Sequence, residues 1–174
     1  MTLPPPWGIR GGSSIRIMNK YIDKSLKLTE HFSLSEMCST SVQTADHNFP
    51  SQEVISNLKR LTKWLEMLRD EWNKRYGEGN DPIIINSGYR SPAVNKAVGG
   101  VATSNHLTGC AADIRVLGNE QLVRYATILL DISDESGEDF DELIFEHNSR
   151  TGNYWLHFAV RAKGNRRKIK FINK

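Results

Sequence analysis

A chain of 174 residues with a net charge of +3, 39% hydrophobic and 25% charged, has the size and balance of one globular domain with a full core. No apolar run approaches the roughly 18 residues of a membrane span, and residues 1–14 hold three prolines, Arg10 and a glycine pair but no apolar segment, so neither a membrane anchor nor a secretory signal is expected. Two cysteines far apart, Cys38 and Cys110, suggest no disulfide framework and read as reduced thiols. These traits predict a monomer made in the cytoplasm, which reaches any target outside the membrane only by another route.

Along the chain, residues 1–17 read as a leader or extension and residues 18–174 as one domain. Ser33-x-x-Glu36 has the spacing of a capping box and predicts a short helix, followed by a polar, turn-rich stretch over residues 40–49. Pro50-Ser51 then opens the longest helix. Val54, Leu58, Leu61, Leu65, Leu68 and Trp72 recur at steps of four and three and mark a core-facing stripe through about Tyr76. Ile83-Ile84-Ile85 predicts a buried strand that delivers Ser87-Gly88-Tyr89-Arg90-Ser91-Pro92 at its end. Pro92 starts a short helix closed by Gly99-Gly100. Residues 111–116 predict a strand, residues 119–132 an amphipathic helix, and residues 133–139 an acidic loop. Residues 140–146 and 154–160 form a hairpin across a polar turn. Helices first and strands later predict an α+β fold, with a small, mostly antiparallel sheet that has helices on one face and the functional site on the other.

Alternation along the strands sorts the polar residues between those faces. Leu156, Phe158 and Val160, with Leu143, Phe145, Ala112, Ile114 and Val116, form the apolar sets. That leaves Asp113, His157, Glu142 and Glu146 together on the second face, with His147 on the wrong parity. His106 lies seven residues before Asp113. Two imidazoles and one carboxylate suffice to hold Zn²⁺ with its fourth position open, which hydrolysis requires. Amide hydrolysis also needs a carboxylate to move a proton from water to the leaving amine. Glu146, near the hairpin turn on the face of His157, is preferred to Glu142 for that role.

Ser104-x-His106-x-x-Gly109-x-Ala111-x-Asp113, together with Ser87-Gly88-Tyr89-Arg90-Ser91 and Trp155-x-His157, resembles the M15 family of zinc peptidases from about His31 to Phe171. These are D-alanyl-D-alanine carboxypeptidases and L-alanyl-D-glutamate endopeptidases that cut peptidoglycan stem peptides. The resemblance implies His106, Asp113 and His157 as zinc ligands, Arg90 as the group that polarises the scissile carbonyl, and Ser104 as a residue that contacts substrate or steadies the site. Tyr89 and Trp155 would form an aromatic wall for a peptide. Where many relatives carry an acid or a histidine ahead of the last ligand, this chain has Tyr154 and Trp155. That departure leaves room for a second reading, a non-catalytic module that binds cell-wall peptide.

From Arg161 onward there are seven basic residues and no acid. Such an end can meet a polyanion, but Lys168-Ile169-Lys170-Phe171-Ile172 alternates as an edge strand guarded by lysines does. The edge-strand reading is favoured, and no nucleic-acid partner is expected.

Overall fold

The computed structural model describes residue 23 and residues 25–174; the leader expected over residues 1–17 lies outside them. In chain order the elements are α1 (Leu34–Met37), α2 (Gln52–Arg75), β1 (Ile85–Ser87), α3 (Pro92–Ala97), a 3₁₀ turn (Asn105–Thr108), β2 (Ala111–Arg115), α4 (Asn119–Ser136), β3 (Glu142–Asn148), β4 (Asn153–Ala159) and β5 (Lys168–Asn173). Among the described residues no helix is long and apolar enough to cross a membrane.

α2 forms where its stripe predicts. Ser51 caps it by accepting from the Val54 amide, and Leu58, Leu61, Leu65 and Leu68 are all 0% exposed. Each such leucine contributes on the order of 2 kcal/mol by leaving water. The stripe packs against α4 and one face of the sheet. The Trp72 ring meets Tyr125 edge-on at 4.9 Å, and Trp64 lies 5.4 Å from Phe158. Ala112, Ile114, Leu143, Leu156 and Phe158 supply the sheet's half of this core, as alternation requires.

α4 outruns its expected end at Ile132. Ser133 is still buried on its inner side, and the helix stops at Ser136, where Gly137 adopts a left-handed φ of 71° and returns its amide to the Ser133 carbonyl. The acidic residues that suggested a loop, Asp134 and Glu135, lie on its exposed side. The strand expected at residues 83–85 is shorter and shifted. Ile83 is buried but Ile84 is exposed, and only Ile85–Ser87 pairs, as an edge strand against β2.

The sheet has five strands in the order β1-β2-β4-β3-β5. It is mixed, and the expectation of a mostly antiparallel sheet is corrected by β5, which runs parallel to β3. β3 and β4 form the expected hairpin, so β4 ends beside the start of β3. The connection from β4 passes that end of β3 and starts β5 on its far side, which leaves β3 between two strands of opposite sense to each other. Arg166, on the connection, anchors the crossing with Nε and Nη2 on Asp141 at 2.8 and 2.7 Å.

This anchoring also accounts for the basic end of the chain. Arg161 and Arg166 pair with Asp141, Arg167 with Asp134 and Asp139, Lys168 with Glu142, and Lys174 with Glu146. Most of the cationic run therefore faces the protein's own acids.

Candidate metal centre

His106 is set by the chain on either side of it. The Ser104 hydroxyl caps the 3₁₀ turn by accepting from the His106 amide at 3.3 Å. Gly109 ends the turn with φ 70°, and a Cβ there would come within 2.9 Å of the Val54 carbonyl oxygen. Only glycine takes this backbone cheaply while the turn rests on α2. The Asn57 amide group, on α2, fixes the same turn by donating to the Thr108 carbonyl at 2.9 Å.

The imidazole is then oriented by a second glycine. His106 Nδ1 donates to the Gly88 carbonyl at 2.6 Å, which leaves Nε2 as the acceptor that a metal needs. A Cβ on Gly88 would lie 2.3 Å from the Met37 carbonyl oxygen, a backbone atom. Gly88→Ala is therefore expected to destabilise the fold by about 2 kcal/mol in urea denaturation and to weaken zinc binding by roughly tenfold or more, because the His106 orienting bond shifts. Unchanged stability and affinity would show that the loop has slack.

Asp113 lies on β2 directly opposite His157 on β4. Its Oδ1 is 3.2 Å from His106 Nε2 and 2.9 Å from His157 Nδ1. Donor atoms at the corners of a tetrahedron with zinc bonds of about 2.1 Å are about 3.4 Å apart, so these separations are near those of a ligand set. All three residues are buried, and their ligand atoms lie within 4.8 Å of one another. The other Asp113 oxygen is bound by Arg90 Nη2, while Arg90 Nε donates to Ser87 Oγ at 2.8 Å. One oxygen is thus held by the protein and the other faces the imidazoles. His157 Nε2 lies 3.5 Å from Glu142 Oε2, which gives this histidine a carboxylate behind its metal-facing nitrogen.

The electrostatics follow from this packing. Burial alone would raise the Asp113 carboxyl, but the charges of and hydrogen bonds from His106 and His157 outweigh it and hold the group well below the usual carboxylate range. Burial would likewise lower His157, yet Asp113 and Glu142 raise it to about 9. The His157 hydrogen bond, with help from Lys168 and against burial, pulls Glu142 down. A metal must displace the proton that His157 carries below that pH. Zinc affinity measured by chelator competition is expected to rise about tenfold per pH unit from 6 to 8; a flat profile would show that His157 carries no proton for the metal to displace in that range.

The cleft over these residues encloses about 790 Å³ and is also lined by Arg90, Ser104, Glu142, Glu146 and Trp155. Glu146 is buried there with the Lys174 ammonium against its carboxylate. Lys174 also sits 5.3 Å over the Trp155 ring. Tyr89 is 6% exposed, belongs to the core and is not among the residues that line the cleft. Both cysteines are free, and Cys110 is buried beside the turn rather than among the donors.

Two supports of the site had no sequence signal strong enough to mark them. Asn48 is 2% exposed and donates to the Cys38 and Tyr89 carbonyls while accepting from the Ser91 amide, which clamps both sides of Arg90. Asn105, at a position the motif leaves unspecified, bridges Asp141 and Glu142 at 2.8 and 3.0 Å.

A sequence model of the family described as Peptidase M15 matches residues 30–138. The matched stretch contains residues 87–91 and 104–113 but stops before β3, so the fold alone brings His157, Glu142 and Glu146 to the same place. No curated protein matches the chain closely enough to count as a relative.

Proposed function

We propose that this chain, which belongs to the M15 peptidase family, hydrolyses peptide bonds in peptidoglycan stem peptides with zinc held by His106, Asp113 and His157. The observation that supports this most is the convergence of three buried donors, a buried glutamate that is not a donor and a guanidinium in one cleft. Zinc in such a site supplies Lewis acidity to a carbonyl oxygen and lowers the pKa of water beside it. The protein's residues do the rest. Glu146 takes the proton of the attacking water and passes it to the leaving amine. Arg90, with donors left over after Ser87 and Asp113, stabilises the carbonyl oxygen as it gains charge. Glu142 and Gly88 hold the two imidazoles in their metal-facing orientation, and Trp155 forms an apolar wall for the peptide.

Mass analysis of purified peptidoglycan digested with the zinc-loaded protein tests the reading. Loss of a terminal D-alanine would indicate a carboxypeptidase, and a free L-alanine end an endopeptidase. Products should disappear with a chelator and return with zinc. A zinc-loaded protein that binds peptidoglycan and releases no product would contradict hydrolysis and favour the binding module instead.

A further inference from the structure

The cations that line the metal cleft are already engaged. Arg90 is held by Asp113, Arg161 and Arg166 by Asp141, Lys168 by Glu142, and Lys174 by Glu146. Arg115 differs from them. It follows Asp113 by two residues on β2, so it shares that residue's face of the sheet; it is exposed, and among the described residues it has no acidic partner. Its neighbour across the strands is Trp155. The two residues line a groove of about 610 Å³ with Asn86, Leu117, Asn148 and Tyr154. Trp155 also lines the metal cleft, so the groove adjoins the cleft at this residue.

We propose that Arg115 and Trp155 form a subsite that recognises a carboxylate on the peptide substrate, within about two residues of the bond that is cut. This rests on the peptidase reading above. Two residues along a strand span about 7 Å, the same reach as two residues of an extended peptide. A guanidinium with no partner offers a carboxylate two parallel N–H donors. The Trp155 ring beside it excludes water from one side of that contact, which strengthens it relative to a pair on open surface. The other cleft cations are each already beside an acid of the protein, so a substrate carboxylate meets less uncompensated positive charge there. The carboxylate can come from an acidic side chain or from the end of the peptide chain, and the chemistry at Arg115 is the same for both.

The test uses the zinc-loaded full chain and short peptides of one sequence. Glu or Gln is placed up to two residues either side of the cut bond, and the C-terminus is either a free acid or an amide. In the unchanged protein, one of the two exchanges, Glu for Gln or acid for amide, should lower kcat/KM by about tenfold or more, which identifies the source. Arg115→Gln should bring that ratio close to one. A variant that keeps the full preference, or an unchanged protein with no preference for either carboxylate, would overturn the subsite. If no peptide is cleaved, the peptidase reading fails by itself. Anisotropy of dye-labelled peptides then still tests the subsite: tighter binding of the acid form in the unchanged protein but not in Arg115→Gln supports it, and equal affinities in both overturn it.

Discussion

Asp113→Asn is expected to leave the fold in place and to remove zinc binding and hydrolysis together. Asparagine fits the same volume on β2, so the pairing with His157 and the core behind it need not change. It carries no charge, however, and Asp113 Oδ1 is the atom within 3.2 Å of His106 and 2.9 Å of His157. Losing a carboxylate that merely orients a ligand weakens metal affinity by about ten to a hundredfold, so losing a ligand itself should exceed a hundredfold. Arg90 would lose its acidic partner in the same change, which disorders the group assigned to the carbonyl. Zinc affinity by chelator competition, and kcat/KM on the peptide identified by mass analysis, should fall in parallel. A variant that keeps zinc would place the metal elsewhere.

Glu146→Gln should behave differently, because Glu146 is not a donor atom. Zinc should remain bound with affinity changed little, while kcat falls by about 10²–10⁴-fold, the usual contribution of a general base. Glu142 provides the contrast. Both glutamates flank Ile144, the residue opposite His157 on β3, so the register alone does not separate them. Their surroundings do. Glu142 is held by Asn105, Arg166 and Lys168 and sits behind His157 Nε2. Its removal should cost metal affinity, by about ten to a hundredfold, more than turnover at saturating zinc. Glu146 contacts Lys174 and faces the cleft. If Glu142→Gln abolished turnover with zinc bound while Glu146→Gln did not, the two roles would be exchanged.

The sequence was most legible where chemistry and backbone demand coincide. His106 and Asp113 stand in a motif whose glycine has a left-handed φ and no room for a side chain, so the fixed positions carry structural and chemical reasons together. Strand alternation was enough to place Asp113, His157, Glu142 and Glu146 on one face, because parity is local. What alternation lacks is the neighbour: nothing in residues 168–173 says that they pair with β3, or in parallel. That choice depends on the path past the end of β3 and on Asp141, which is distant in sequence from the arginine it binds. The end of α4 was obscured because exposed acids look alike on a helix and in a loop. Asn48 was hidden because a single asparagine in a turn-rich stretch has no periodicity, and its partners, Cys38, Tyr89 and Ser91, meet only in the folded chain.

Two imidazoles and one aspartate are expected to hold a single zinc ion. Anomalous X-ray scattering at the zinc absorption edge, from crystals grown with one equivalent of zinc, addresses it directly. One strong peak is expected about 2.0–2.2 Å from His106 Nε2, Asp113 Oδ1 and His157 Nδ1. A peak bound by other side chains, or a protein that cleaves peptide with these three atoms free of metal, would contradict it.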